Sequence, residues 1–160
     1  YHAEASKITR QAKQIGLNKP FLSGDSVANP TFIELGGDSV EGHMFTDFFD
    51  HSAPPTSKSK EFIAAYEKKT GKSDVNSFVT LGADTYNLLV DAMNRCANPE
   101  DTVCVNDEIK KTVNFEGVSG FISIDKNGNA TRSAVIKEIK GGKAVYKSSA
   151  VLGKISNISE

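Results

Sequence analysis

The sequence lacks an excess of either charge and lacks any long apolar run, and each shortage removes a class of protein. Its 160 residues carry 19 Lys and Arg against 20 Asp and Glu, which leaves a formal net charge of -1. This balance, with no block rich in lysine and arginine, gives no indication of a nucleic acid partner. No apolar run is long enough to span a bilayer. Hydrophobic residues make up 38% and charged residues 24%, as in ordinary soluble globular domains with a substantial core.

Patterns that would indicate a catalytic or cofactor site are also missing. There is no Gly-rich phosphate loop, no GxSxG nucleophile motif, and no local grouping of Ser, His and Asp. His2, His43 and His51 show no ligand spacing with the two cysteines, so zinc is not expected. The sequence therefore predicts no enzyme and no cofactor.

The segment Asp125–Asn129, DKNGN, has two interpretations. It resembles the start of a calcium loop, but the twelfth position from Asp125 is Ile136, where such loops place a glutamate. Asn127-Gly128 is instead typical of a hairpin turn. We therefore predict a turn between two strands.

Apolar periodicity, capping residues and turn residues together predict an α/β chain. The helix over 4–15 carries an apolar stripe of Ile8, Ala12 and Ile15, and Phe62, Ile63 and Tyr66 form the stripe of another. The strongest helix, 83–95, has its face at Ala83, Tyr86, Leu89, Val90 and Met93. Further helices are predicted over 29–35 and 58–70, and a last one begins at an Asn106 cap. The helix over 29–35 has Asn29 as its cap and Pro30 as its first residue. Strands are predicted over 21–22, 40–48, 121–124, 134–140 and 144–147, and a short one within 76–81.

The stretch Lys19–Thr31, KPFLSGDSVANPT, is the best candidate for a ligand contact. Phe21-Leu22 predicts a short strand that ends directly before Gly24-Asp25-Ser26. In open α/β sheets, ligands bind outside the carboxyl ends of strands. Asp25 is therefore a candidate ligand residue, although Gly, Asp and Ser are also common turn and capping residues.

The only cysteines, Cys96 and Cys104, flank the polar, proline-containing segment ANPEDTV. A disulfide closing this small loop would suit an oxidising compartment. Two unpaired thiols are the alternative on the sequence alone.

The order of several motifs resembles one family. The matching stretches are Tyr1-His2, the helix Ile8–Leu17, FLSGDSVAN, GGDSVEG, the helix with Tyr86, and FEGVSGFISIDKNGNA. In this order they resemble the C-terminal part of type I periplasmic binding proteins, specifically the branched-chain amino acid receptors of ABC transporters. This resemblance covers the chain to about Val151 and also favours the disulfide between Cys96 and Cys104.

The resemblance implies an α/β fragment of the type I periplasmic binding protein fold, containing parts of two doubly wound lobes. Residues 1–50 would form a second-lobe segment, 57–124 a first-lobe segment, 130–151 a second-lobe return and 152–160 a tail. Crossovers are expected at Pro54-Pro55 and near Asn129. The N-terminal half of the family pattern is missing, so we expect exposed apolar faces and a partner, either that half or a second copy.

Two ligand positions carry over from the resemblance. Tyr1 aligns with a binding-site tyrosine, whereas without the resemblance it would be a frayed terminal residue. Asp25 aligns with the acid, usually Glu, that holds the α-ammonium of the ligand. Asp is one methylene shorter, which leaves ligand size open. The groups for the α-carboxylate would belong to the missing half.

The resulting expectation is a periplasmic receptor, or one anchored outside the cytoplasmic membrane, that delivers a small amino acid to a permease. The alternative is a ligand-sensing regulatory domain of the same fold. A third class, a doubly wound enzyme, would need more buried strands than these residues supply.

Overall fold

The computed structural model describes residues 1–151 and 154–156, and its contacts divide the chain into two compact units. Unit 1 joins Tyr1–Phe48 to the described residues from Ala134 onward, and unit 2 is Phe49–Ser133. Part of the predicted tail, 152–153 and 157–160, lies outside the described residues. The assignment of these units to lobes stays a prediction.

Five helices and eight strands are described in residues 1–151 and 154–156. The helices are α1 (His2–Gln14), α2 (Pro30–Gly36), α3 (Ser57–Thr70), α4 (Ser77–Asn94) and α5 (Thr102–Lys110). The strands are β1 (Leu22–Ser23), β2 (Met44–Asp47), β3 (Phe115–Glu116), β4 (Phe121–Ile124), β5 (Ala130–Thr131), β6 (Ala134–Lys140), β7 (Lys143–Val151) and β8 (Lys154–Ser156). Two 3-10 turns, Asp25–Val27 and Gly37–Val40, flank α2. No helix among the described residues is both long and apolar enough to cross a bilayer.

Unit 1 contains a mixed sheet with the strand order β1-β2-β6-β7-β8. β1 and β2 are parallel, with Leu22 opposite Met44, and the other pairs are antiparallel. Parallel strands end at the same edge, so the turn after β1 lies beside the end of β2. The chain leaves unit 1 at Phe48, one residue beyond β2.

The core of unit 1 joins this sheet to the helical segments that follow β1. It consists of Val27, Phe32, Val40, Phe45 and Ile139, each at most 3% exposed. The 3-10 turn Asp25–Val27 is thus anchored by its last residue, Val27.

Unit 2 packs three helices with the small antiparallel sheet β3-β4-β5. Asn127-Gly128 forms the predicted turn of the β4–β5 hairpin, in which the Asp125 carboxylate accepts the amides of Asn127 and Asn129, each at 2.8 Å. These hydrogen bonds lower the pKa of Asp125. The carboxylate therefore stabilises the turn, as the hairpin interpretation predicts.

Several predicted elements are confirmed with small changes in their bounds. Asn29 caps α2 by accepting the amide of Thr31 at 2.9 Å, and Pro30 is the first helical residue. β6 has the predicted bounds, and Gly141-Gly142 connects it to β7. The predicted strand over 40–48 is shorter, because 37–40 forms a 3-10 turn.

Two predictions of local structure are wrong, because α4 and α5 both begin earlier in the chain than predicted, at the capping side chains Asn76 and Asp101. The expected strand within 76–81 is the first turn of α4, since Asn76 accepts the amide of Phe78 at 2.8 Å and starts the helix. Asn106 lies inside α5, which is capped by Asp101 through the amides of Val103 and Cys104.

The predicted buried faces of α1 and α4 are only partly confirmed, through Ala12 in α1 and through the half-buried Ala83, Val90 and Met93 in α4. α1 buries Ser6, Thr9 and Ala12, whereas Ile8 is 57% and Ile15 82% exposed. These small residues allow α1 to lie close against α2 and the second 3-10 turn. α4 likewise exposes much of its apolar stripe and buries Ser77, Thr80, Asp84 and Ala92; Tyr86 is 67% and Leu89 41% exposed.

Candidate ligand-binding site

Asp25 lies directly beyond β1, at the edge of the unit 1 sheet where β2 also ends. Gly24 separates it from Ser23, and it begins the 3-10 turn whose backbone is closed by the Ala28 amide, 2.9 Å from the Asp25 carbonyl. The side chain is half-buried. No hydrogen bond or ion pair within the described part of the chain engages its carboxylate. The charge is therefore held in place by the backbone and left available to a cation.

Tyr1 is the N-cap of α1 and is 88% exposed. Its terminal amine lies 3.5 Å from the Glu4 carboxylate, and the pKa of Glu4 is lowered first by a hydrogen bond from the backbone and then by this amine. Among the described contacts, none joins the Tyr1 ring to Asp25. The two predicted ligand residues thus share unit 1 but are not brought together by their own side chains.

The buried ring of His43 supports the end of β1. Its Nε2 lies 2.8 Å from the Ser23 hydroxyl, and its plane stacks on Phe21 with ring centres 6.1 Å apart. The edge-to-face contact with Phe32 is closer, at 4.9 Å. Burial lowers the pKa of His43. The sequence singled out no role for this residue, because its ring partners come from two other segments of the chain, Phe21–Ser23 and α2.

Unit 2 contains a buried cluster that sequence reasoning also missed, here called the GVSG clamp after residues 117–120. The Asp84 carboxylate accepts hydrogen bonds from the amides of Val118 and Ser119 and from the Ser119 hydroxyl. On the other side, Thr56 donates to the Gly117 carbonyl and Ser59 to the Val118 carbonyl, both at 2.7 Å. Two helices thereby fix one loop, which is a structural role for Asp84.

The two cysteines form a disulfide that joins the end of α4 to α5, with Cα atoms 6.1 Å apart. This separation lies within the usual range for a disulfide. Arg95 strengthens the same junction by binding Glu108 at 2.9 Å and also Asp91. Lys111 and Arg95, in that order, lower the pKa of Glu108 by hydrogen bonding. The disulfide therefore belongs to unit 2, whereas Asp25 belongs to unit 1.

No group of three or more His, Cys, Asp or Glu within the described ranges is arranged to hold a metal ion. Two open grooves are described, and neither is lined by Tyr1 or Asp25. The one in unit 1 measures about 360 Å³ and is lined by Lys13, Phe21, Asp38 and Glu41 among others. Asp25 is half-buried and lies outside the lining of both grooves.

Comparison with known proteins identifies the family. A family model described as "Periplasmic binding protein" matches residues 1–144. The Leu/Ile/Val-binding protein BraC3 of Rhizobium johnstonii is 25% identical over 147 residues, which cover 91% of this chain and 39% of that protein. The leucine-, isoleucine-, valine-, threonine- and alanine-binding protein of Pseudomonas aeruginosa is 26% identical over 131 residues, which cover 81% of this chain and 33% of that protein.

Solved structures give the same result. The leucine binding protein LivK of Thermotoga maritima superposes with a TM-score of 0.88 at 37% identity, over 94% of this chain and 43% of that one. LivJ of Streptococcus pneumoniae, solved with isoleucine, superposes with a TM-score of 0.77 at 28% identity, over 94% and 42%. The chain thus spans about 40% of the length of these relatives. It belongs to the type I periplasmic binding protein family.

Proposed function

We propose that the chain is part of a solute receptor that binds a small amino acid, with the branched-chain amino acids as first candidates, and delivers it to an ABC transporter permease. The family match over residues 1–144 supports this function, as do the names of its relatives. In such a receptor the chain binds a ligand and performs no chemistry on it. A periplasmic or membrane-anchored location outside the cytoplasm suits the family, and the disulfide suits an oxidising compartment.

Asp25 is the residue that carries the ligand proposal. A carboxylate that is half-buried and without an internal partner is suited to a desolvated ammonium, because an unpaired charge in such a place is unfavourable. A hydrogen bond between two charged groups is about twice as strong as one between neutral groups. We assign Asp25 to the α-ammonium of the amino acid.

Tyr1 is assigned to the same ligand as a ring contact. Its exposure of 88% leaves the ring free to cover an apolar side chain, and α1 packs beside the turn that begins with Asp25. Because no described hydrogen bond or ring contact fixes the Tyr1 ring, its contribution depends on the ligand or on further chain. We expect Tyr1 to contribute less than Asp25.

Unit 1 corresponds in this proposal to the second lobe of the family and unit 2 to the first. The partner is the remaining part of a full-length receptor, or a second copy of this chain. Exposed apolar side chains support a missing partner: Ile8, Ile15 and Leu22 in unit 1, with Tyr86 and Leu89 in unit 2. Leu22 is 75% exposed and lies on β1, which is the edge strand of its sheet.

Titration of the isolated chain with leucine, followed by amide shifts in NMR spectra, tests the role of Asp25. We expect shifts centred on Gly24–Ala28 and weak binding, about millimolar, since only one anchor is present and such affinity corresponds to about 4 kcal/mol. Asp25→Asn should weaken binding by about tenfold, the value of one charge-assisted hydrogen bond.

Asp38→Asn is the matched control, because Asp38 is an exposed carboxylate of the same unit outside the Asp25 turn. It should leave the leucine shifts unchanged. Equal binding by wild type and Asp25→Asn would refute the assignment of Asp25. Tight leucine binding by the isolated 160 residues, measured by calorimetry, would refute the need for further chain.

A further inference from the structure

His43 is the buried ionisable ring that holds the turn carrying Asp25. The residue is 4% exposed, and its Nδ1 is buried without a hydrogen-bond partner in the described structure. Its Nε2 is engaged by Ser23 at 2.8 Å. The backbone is fixed as well, since its amide donates to the Val40 carbonyl and its carbonyl accepts from Ile139. The main chain of His43 is therefore held in the sheet, and only rotation of its side chain could bring the ring to a new partner.

Two paths connect this ring to the ligand turn. Ser23 ends β1 only two residues before Asp25. Phe32, which contacts the His43 ring edge-on, also belongs to the core cluster that contains Val27, the last residue of the turn. Both ends of the turn thus depend on the position of His43.

We propose that His43 is a proton-sensitive support, in which the neutral ring holds the Asp25 turn in place and its protonation loosens the turn and releases the ligand. The release of ligand rests on the function proposed above. The loosening of the turn does not, because it follows from the surroundings of the ring alone.

Protonation converts the one acceptor nitrogen of the ring into a second donor. A neutral imidazole has one donor and one acceptor, whereas the charged form has two donors. The Nδ1–H of the charged ring would be buried with no acceptor, against the faces and edges of phenylalanine rings. Burying an unpaired charge is far more costly than burying an unpaired neutral atom. The charged ring must therefore move toward water, and Ser23 and Phe32 lose their contact with it.

Burial is the cause of the lowered pKa of His43. On β6, Ile139 pairs with His43 and alternation turns Glu138 and Lys140 to the other face. Glu138 is bound by Lys147 at 2.8 Å, and Glu41 accepts the amide of Gly141 at 2.7 Å. On the strand faces of His43 and Ile139, Asp47 of β2 is paired with Lys137 of β6 at 2.9 Å. The other titratable groups on the segments around the ring are Lys19 before Phe21, Asp25 after β1, Glu34 on α2 and Asp38 on the second 3-10 turn.

The lowered pKa of His43 sets the sign of the pH dependence. The ordinary pKa of histidine, 6.5, applies to the open turn, and the folded value lies below it. The neutral His43 ring stabilises the closed turn fully above pH 6.5, and this stabilisation is lost as the pH falls from 6.5 through the folded pKa of His43. Within that interval the open form binds one more proton, so the opening constant rises by up to about tenfold per pH unit.

Two NMR measurements on the 160-residue chain test the support. Titration of the imidazole signals should give His43 a midpoint below 6.5. Amide hydrogen exchange at Met44, whose N–H donates to the Phe21 carbonyl at 2.9 Å, reports opening of β1. Corrected for the intrinsic rate, the opening constant should rise several-fold between pH 7 and pH 5.5.

His43→Phe keeps an aromatic ring but cannot be protonated, so its opening constant should not change with pH. His51→Gln is the control, because His51 is exposed in a turn of unit 2, and it should behave as wild type. A His43 midpoint at or above 6.5 would overturn the proposal, as would a wild-type opening constant that is independent of pH. If His43→Phe does not fold, these two wild-type measurements still decide whether protonation of His43 opens the turn.

A third measurement separates the switch from the proposed function. Leucine-induced shifts of the Asp25 amide should be larger at pH 7.5 than at pH 5 in wild type, and equal at both in His43→Phe. Equal wild-type shifts at both pH values would refute the release step. The absence of shifts at either pH would refute the ligand role of Asp25 and the release step together, while exchange at Met44 would still decide whether His43 supports the turn.

Discussion

The GVSG clamp predicts a large and specific loss of stability when Asp84 is changed. Asp84 is 3% exposed, and removing its carboxylate leaves the amides of Val118 and Ser119 and the Ser119 hydroxyl without their acceptor. Each buried donor left unpaired costs about 1–3 kcal/mol. Since Thr56 and Ser59 still bind the loop from the other side, we expect Asp84→Ala to cost about 3–5 kcal/mol rather than the full sum.

Asp84→Asn should cost less, about 2–3 kcal/mol, because the amide keeps one acceptor oxygen but presents its NH2 group to a backbone donor. Asp107→Asn is the matched control. Asp107 is exposed on α5 and lies 3.6 Å from Lys110, a surface pair worth about 0–1 kcal/mol.

A double-mutant cycle with Gly117 makes the test specific to the clamp. A Cβ atom at Gly117 would lie 2.6 Å from an Asp84 carboxylate oxygen, so Gly117→Ala should destabilise the wild type by forcing the two groups apart. In the Asp84→Ala background this clash is absent and Gly117→Ala should cost less. The coupling should be about 1–3 kcal/mol, as for other residues in contact.

Hydrogen exchange at Ile122, which lies on β4 in unit 2, measures the free energy of opening for each variant without requiring the whole chain to unfold at once. The clamp does not carry the energy assigned to it if the free energy of opening in Asp84→Asn lies within about 0.5 kcal/mol of wild type. The same follows if the effects of Asp84→Ala and Gly117→Ala are additive.

Three further predictions concern packing, covalent constraint and association. Gly36→Ala would force a methyl into a γ-carbon of Val40 and should destabilise unit 1 by about 1–3 kcal/mol in denaturation experiments. Gly82→Ala in α4 is the control, because its methyl meets nothing within 4 Å, and it should be neutral or stabilising by up to about 1 kcal/mol. Reduction of the Cys96–Cys104 disulfide should cost about 2–3 kcal/mol, since its loop is short, with a Cys104→Ser/Cys96→Ser variant insensitive to reductant. The isolated chain should associate through its apolar faces; light scattering that finds a compact monomer at all concentrations would contradict this.

The local elements were predictable where a residue acts on its immediate neighbours. Asn29-Pro30 starts α2 and Asn127-Gly128 forms a hairpin, because each pair acts within a few residues of chain. Asp101 and Asn106 show the limit of such reasoning. Both precede helical residues, and the choice between them depends on which carboxylate or amide oxygen reaches the free amides of the helix.

The position of Asp25 beyond β1 could also be predicted, since Gly24 and the short apolar run Phe21-Leu22 precede it. The role of His43 could not. Its surroundings combine Phe21, Ser23 and Phe32, which are brought together only when β1 pairs with β2 and α2 folds over them. Asp84 was missed for the same reason, as its partners lie 34 and 35 residues away.

The errors in the predicted faces of α1 and α4 have a common physical cause. A hydrophobic stripe indicates which side of a helix avoids water in the functional protein, but it does not name the surface that covers it. In this chain, α1 makes its close contacts through Thr9 and Ala12 while Ile15 is exposed. Single exposed apolar residues are common, but repeated exposure along the stripes of two helices is typical of surfaces that are covered by another element.

These exposed stripes bear directly on the proposed site. The chain spans about 40% of the length of its relatives, and a receptor that surrounds its ligand needs groups for the α-carboxylate as well as for the ammonium. In the proposed site, Asp25 supplies only the group for the ammonium. If further chain covers Ile15 and Leu22, it would also lie against α1 and the free edge of β1, the elements next to Asp25. The same contacts that would remove apolar surface from water would then complete the ligand site, so folding and high affinity should be gained together.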